Sequence, residues 1–321
     1  MPEALYVVAP GEIEIRPESS GHIGPDEARV RMLHSGISHG TEMNVYSGRN
    51  VRQMPCRIGY CAVGEVVECG PQFTKASVGD HVFGYASHAT EFRISQQRPV
   101  FKLPEGLDAR CGVFTALGGV AYNGVLESQV ALGETAVVFG LGAVGLCTTF
   151  LLRRAGAFRV ISVDPIGIRQ EAGLRMGACA ALDPGDELAD RVSALNEGEL
   201  ADVVLETSGA IQGLNDALKV IRKQSTIVAL SWYSRDAAGL DLTRDFHVKR
   251  PNIKVAQGDS TPLHLSSRWT EERRALSTLQ LLPEMPLNTL ISHSFPFSDA
   301  QKAYELVHDH PEQCIQVVLE Y

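Results

Sequence analysis

The chain has 321 residues, with 38 acidic and 29 basic side chains and a net charge of −9. That length leaves room for two domains of about 150 residues, and 44% apolar with 21% charged residues excludes a disordered or fibrous chain. The acidic balance and the lack of any Lys/Arg run argue against a nucleic-acid partner. No apolar run approaches the roughly 18 residues of a membrane span, and Met1–Gly11 lacks a basic-then-apolar leader pattern. A cytoplasmic protein without a membrane partner is therefore expected. Seven scattered cysteines with no C-x-x-C pair read as reduced thiols rather than as a disulfide framework or a structural zinc site.

In chain order, Ala28–Met32, Gly64–Val67, His81–Phe83 and Ala89–Ile94 read as short strands separated by Gly-Pro, Ser-Gly and Gly-Asp turns. No periodic helix of useful length is expected before about Cys111. From Thr135 the texture changes. Ala136–Phe139, Arg159–Val163, Val203–Glu206 and Thr226–Leu230 read as buried strands, alternating with helices at Val144–Ala155, Arg169–Met176 and Gly213–Ile221. Such alternation specifies a parallel sheet covered on both faces. After Gly258 come a charged helix at Glu271–Leu282, a strand, a helix near Asp299–His308 and a last strand at Gln316–Leu319.

The sharpest local signal is Gly140-Leu141-Gly142-Ala143-Val144-Gly145, a G-x-G-x-x-G run that follows a strand and opens a helix. Gly140 permits the tight turn, Gly142 lets a pyrophosphate approach the backbone, and Gly145 lets helix and strand pack closely. The N–H groups of Ala143 and Val144 belong to a helix N-terminus whose partial positive charge suits phosphates. Asp164 ends the next strand, where a carboxylate can take both hydroxyls of an adenosine ribose and would repel a 2′-phosphate. The alternative reading of Asp164 is a turn acid ahead of Pro165. NAD is thus expected over NADP, with Arg169 as a nearby group that could accommodate a phosphate.

Five segments together resemble the medium-chain dehydrogenase/reductase superfamily. They are Ser35–Glu42 (SGISHGTE), Gly59–Val66 (GYCAVGEV), Val78–Val82 (VGDHV), the Gly140–Gly145 loop and Asp202–Gly209 (DVVLETSG). The resemblance implies an α/β protein: a GroES-like β-barrel catalytic domain from residues 1–117 and 258–321, and an inserted Rossmann domain, a doubly wound parallel sheet, over 118–257. It also implies cofactor contacts from His39, Thr207, Ser208, Gly209, Leu230, Ser231 and Trp232, and a homodimer.

Zinc-bearing members carry Cys after the Gly-Ile pair, His-Glu in the second motif, and Cys or Asp shortly before the nucleotide domain. Here those positions hold Ser38, Tyr60-Cys61 and Ala116, and the lobe of four closely spaced cysteines is missing. These groups cannot form the usual Cys/His zinc site, so no metal is expected. Ser38 and Tyr60 become the candidate hydrogen-bond donors to a reacting carbonyl. The motifs are most similar to the zinc-free, bacteriochlorophyllide a dehydrogenase-like branch. The expected activity is NAD(P)-dependent interconversion of a secondary alcohol and a ketone on a specialised small-molecule substrate. A zinc-free quinone or enoyl double-bond reductase and a non-catalytic dinucleotide sensor stand as alternatives.

Overall fold

The computed structural model describes residues 1–49, 53–233 and 236–321. In chain order, β1 (Glu3–Ala9), β2 (Glu12–Pro17) and β3 (Glu27–Ile37) precede a short helix α1 (Thr41–Tyr46). Five strands follow: β4 (Cys56–Arg57), β5 (Cys61–Cys69), β6 (His81–Gly84), β7 (Glu91–Ser95) and β8 (Phe101–Lys102). Helix α2 (Phe114–Ser128) leads into the alternating region. That region comprises β9 (Thr135–Phe139), α3 (Ala143–Ala155), β10 (Arg159–Val163), α4 (Gly167–Arg175) and β11 (Ala180–Leu182). It continues through α5 (Leu188–Leu195), β12 (Ala201–Glu206), α6 (Ile211–Val220), β13 (Ile221–Ala229), α7 (Asp245–Lys249) and β14 (Asn252–Val255). The chain then runs through α8 (Glu271–Leu281), β15 (Ile291–Pro296), α9 (Ala300–Asp309) and β16 (Gln316–Glu320).

Two compact units result: Met1–Ala116 with Ala275–Tyr321, and Leu117–Arg274. In the first, a seven-stranded sheet runs β15-β16-β3-β5-β6-β8 with β7 also paired to β3, and a three-stranded sheet runs β2-β1-β4. Alternation along β3 buries Ala28, Val30 and Met32 while Arg29 and Arg31 face outward to Glu68, Glu91 and Glu65. The tail is integral to this unit. Strand β16 pairs antiparallel with the end of β3, Leu319 opposite Ser35 and Val317 opposite Ile37. Tyr304 and Val307 from α9 join Leu5, Ile37 and Tyr46 in one core.

The second unit is a six-stranded sheet in the order β11-β10-β9-β12-β13-β14, parallel throughout. Counted from its own first strand, that order is 3-2-1-4-5-6, the Rossmann arrangement. Its strands are near-continuous apolar runs, as burial on both faces demands: Ala136, Val137, Val138 and Phe139 are all buried. Among the described residues all seven cysteines are free, and burial pushes the Cys147 thiol up to about 12.

Several details depart from the reading of the sequence. Residues 258–274 belong to the second unit rather than the first. The cause is Arg274, whose guanidinium donates to the carbonyls of Gly258 and Ser260 and to Asn123 Oδ1, while Asn123 donates to the Gln257 carbonyl at 2.6 Å. Strands β1 and β2, whose alternation is half-polar, were not anticipated. Nor were the three-residue β11, the edge strand β14, helix α5, the six-residue α1 or the start of α2 at Phe114. The expected strand Ala89–Ile94 begins at Glu91, because Ala89 makes only an isolated bridge to Ala4.

Candidate active site

The glycine loop has the geometry of a phosphate cradle. Gly140 sits at φ +82°, and a Cβ there would lie 2.7 Å from the Ser208 backbone. A Cβ on Gly145 would lie 1.8 Å from the Gly140 carbonyl oxygen. A Cβ on Gly142, by contrast, would meet nothing within 4 Å. The tight side of the loop is filled by protein and the Gly142 side is open to a ligand. Helix α3 starts at Ala143 with Gly142 as its N-cap and no side chain capping it. The N–H groups of its first turn are therefore left for a ligand or solvent.

Three groups fix this loop. Thr207 Oγ1 donates to the carbonyls of Phe139 at 2.9 Å and Gly140 at 2.6 Å. Gly140 N–H donates to the Val163 carbonyl at 2.9 Å. Asp164, only 3% exposed, accepts from Leu141 N–H through Oδ2 at 2.7 Å and from Ile166 N–H through Oδ1 at 2.9 Å. Asp164 is thus a turn acid and an anchor of the glycine loop at once, with its charge held at the tip of β10. Arg169 is half-buried in the first turn of α4. These residues fit a dinucleotide.

A buried carboxylate organises the end of β12. Glu206, fully buried, accepts from Ser208 N–H at 2.7 Å, from the Ser208 hydroxyl, from Gly209 N–H at 3.3 Å and from Tyr233 O–H at 2.5 Å. Burial raises its carboxyl above the usual range, against those hydrogen bonds. It ties the Thr207–Gly209 segment to the one that carries Leu230, Ser231 and Trp232. Leu230 N–H also donates to the Glu206 carbonyl at 2.8 Å. The Trp232 side chain stands 65% exposed, so it is no part of the core. Sequence reasoning nominated the loop residues and passed over Glu206, although it closes the apolar Val203–Leu205 run of β12 with an acid.

In the first unit, Ser38 and Tyr60 do meet. Tyr60 O–H donates to Ser38 Oγ at 2.8 Å, with Ser38 buried and Tyr60 half-buried. That geometry leaves the Ser38 hydroxyl proton available to a further acceptor. Burial, helped by the nearby Cys61 and Glu42, raises the Tyr60 phenol well above its ordinary value. Tyr60 therefore stays protonated and acts as a donor. His39, half-buried, follows Ser38 at the mouth of α1.

Beneath this pair lies a polar chain that reading the sequence did not find. Glu42 Oε1 accepts from Ser38 N–H at 2.9 Å, while Oε2 meets His88 Nε2 at 2.9 Å and accepts from Tyr304 O–H. His88 Nδ1 meets Ser35 Oγ at 2.6 Å, and Ser35 Oγ meets the Tyr321 hydroxyl at 2.8 Å. Glu42 is visible in the SGISHGTE motif; nothing local marks His88, Tyr304 or Tyr321 as its partners.

The side chains that the resemblance puts at the zinc-ligand positions are the Ser38 hydroxyl, the Tyr60 phenol, the buried Cys61 thiol and the Ala116 methyl, a set with one thiol and no imidazole that does not fit the tetrahedral Cys/His site. No group of three or more His, Cys, Asp or Glu with metal-holding geometry occurs among the described residues. No helix among them is long and apolar enough to cross a membrane.

Residues 24–140 match the alcohol dehydrogenase GroES-like domain family, and residues 143–273 match the zinc-binding dehydrogenase family. D-guloside 3-dehydrogenase of Escherichia coli is 32% identical over 267 residues, covering 81% of this chain and 76% of that one. Sorbitol dehydrogenase of Halalkalibacterium halodurans is 23% identical over 318 residues, covering 88% and 89%. The crystal structure of 2R,3R-butanediol dehydrogenase from Bacillus subtilis superposes with a TM-score of 0.84 at 19% identity, covering all of both chains. With a GroES-like sheet unit, a Rossmann unit and a relative of this identity and extent, the chain belongs to the medium-chain dehydrogenase/reductase superfamily and is an oxidoreductase of its alcohol dehydrogenase type.

Proposed function

We propose that the protein interconverts a secondary alcohol and a ketone without a metal, using NAD(H) in preference to NADP(H). The observation that carries this reading is the 2.8 Å hydrogen bond from Tyr60 to Ser38 at positions where zinc-bearing relatives place ligands. NAD+, when bound, accepts the hydrogen and two electrons of the carbinol carbon, and the hydroxyl proton is released to water. Tyr60 donates to Ser38 Oγ, and Ser38 donates to the substrate oxygen, stabilising the alkoxide character that builds there. The glycine loop and the α3 N-terminus hold the pyrophosphate. The fixed charge of Asp164 favours a free ribose over a 2′-phosphorylated one. The polyol- and sugar-acting names of the relatives support a polyhydroxylated substrate, while the zinc-free motifs support the bacteriochlorophyllide a dehydrogenase-like branch.

We also propose a cytoplasmic homodimer. Strand β14 is the edge of its sheet, with Ile253 and Val255 exposed by 40% and 66%. Light scattering that gives a monomer mass removes that assembly.

Three measurements test the chemistry. Metal analysis of purified active enzyme is expected to find far less than one zinc per chain; stoichiometric zinc sinks the metal-free reading. Tyr60→Phe is expected to lower kcat about 100-fold with the cofactor Kd unmoved, and an unchanged kcat removes Tyr60 from the mechanism. A panel of alcohols, ketones and enones separates this activity from double-bond reduction, since turnover of enones alone favours the latter.

A further inference from the structure

The buried Glu42–His88 pair lies outside the hydride-transfer chemistry, yet it touches the backbone supports of both candidate donors. Glu42, 2% exposed, reaches back four residues from the first turn of α1 to the Ser38 N–H. His88, 0% exposed, packs on the segment just ahead of Tyr60. Its backbone N–H donates to the Ile58 carbonyl at 2.9 Å, and its imidazole packs so closely on Gly59 that a Cβ there would lie 2.5 Å from it. Gly59 adopts φ +102°, so only a glycine passes the ring without strain. One carboxylate–imidazole contact of 2.9 Å therefore joins the peptide ahead of Tyr60 to the peptide of Ser38.

A buried polar set of this kind is a poor investment for stability alone. Replacing such a set with apolar side chains of similar volume is often neutral or stabilising. What it does provide is fixed geometry, since every member is held by directional contacts: Tyr304 on Glu42, Ser35 on His88, and Tyr321 on Ser35.

We propose that Glu42 and His88 form a positioning dyad that sets the Tyr60–Ser38 hydrogen bond and thereby aims the Ser38 hydroxyl at the substrate oxygen. The inference rests on the catalytic reading of Ser38 and Tyr60 given above. Neither dyad residue touches substrate; each acts through the backbone it holds. A displacement of about 1 Å in such a donor costs up to 100-fold in rate, so the dyad's contribution falls in kcat and not in cofactor binding.

The test uses the full chain with NAD+ and the fastest alcohol from a panel that includes sorbitol and 2,3-butanediol. Glu42→Gln keeps the side-chain volume, and His88→Gln cuts the dyad from its other end. Each is expected to lower kcat about 10- to 100-fold while the KM for NAD+ and the NADH Kd stay within about twofold. Added to Tyr60→Phe, Glu42→Gln should cost little more, because the bond it positions is already gone. Fully multiplicative losses overturn the dyad, as does a loss confined to KM.

A second readout does not depend on turnover. Isotope labelling of the Ile37–Ser38 linkage reports the Ser38 amide proton, which should move upfield in Glu42→Gln as its carboxylate acceptor is lost. A stationary resonance overturns the proposal. If Ser38→Ala and Tyr60→Phe leave kcat intact, the catalytic reading fails, while the amide shift still reports on the dyad. If Tyr60→Phe is slow but the Glu42→Gln loss multiplies, the dyad alone fails. Should one variant fail to fold, retained NADH binding by the other identifies the usable one.

Discussion

Two carboxylates are buried at candidate functional positions, Glu206 at the end of β12 and Glu42 beneath Ser38, and they are solvated by the protein in different ways. Glu206 takes three of its hydrogen bonds from Ser208 and Gly209, within three residues, and its longest reach is to Tyr233. Glu42 reaches Ser38 four residues away, but its other partners, His88 and Tyr304, are 46 and 262 residues distant. The nucleotide unit builds its site from short loops at strand ends. The other unit builds its site by folding remote segments around one acid. A local site tolerates damage elsewhere in the chain, while a long-range site is exposed to changes far from its chemistry.

The largest expected effect attacks the local site. Gly145→Ala drives a Cβ to 1.8 Å from the Gly140 carbonyl oxygen, and the NADH Kd should rise about 100-fold in a fluorescence titration. An unmoved Kd means that the loop is not the dinucleotide site. Next is the long-range site. Tyr304→Phe leaves Glu42 short of one buried donor and should cost about 2 kcal/mol, seen as a Tm lower by roughly 4–8 °C, together with a lower kcat. If kcat holds, the distant partner is structural only.

Asp164→Asn removes charge at the tip of β10 and, because an amide has a single acceptor oxygen, also gives up the bond from either Leu141 N–H or Ile166 N–H, a loss that weakens both cofactors alike and leaves their ratio as the readout of charge. The ratio of NADPH to NADH affinity should rise about tenfold, measured by paired titrations; a constant ratio shows that Asp164 only braces the loop. The smallest effect is a pH slope. Burial holds the Glu206 carboxyl above its usual range, so the folded chain binds that proton more tightly than the unfolded chain. Its contribution is present at low pH and lost as pH rises from about 4.3 towards the raised value. The Tm advantage of wild type over Glu206→Gln should therefore shrink across that window in a thermal-shift series. A growing advantage reverses the sign and assigns the dominant effect to the hydrogen bonds.

The same contrast explains what could be read from the chain beforehand. The glycine run and Asp164 are marked by spacing, because strand, turn and helix follow one another directly and their chemistry is local, whereas Thr207–Gly209 entered through the resemblance. Ser38 and Tyr60 were found only through resemblance, as residues standing where others carry ligands. His88 and Tyr304 carried no signal, since no pattern within a window relates them to Glu42. The exchange of residues 258–274 between units has a similar origin. A single buried arginine, Arg274, gathers that segment through carbonyls 14 and 16 residues away, and backbone acceptors leave no mark in a sequence.

The reach from Glu42 to Tyr304 also bears on how the protein is made. A ribosome releases the α1 acid early and its α9 partner some 260 residues later, and at about 5–20 residues per second the wait lasts tens of seconds. Throughout that interval Leu117–Arg274 can emerge and collapse on its own parallel sheet, while the seven-stranded sheet lacks β15 and β16 and its core lacks α9. Every residue of Leu117–Arg274, the glycine loop included, is thus synthesised before the acid beneath Ser38 can find its last partner, so the unit that the chain begins first is the one it completes last.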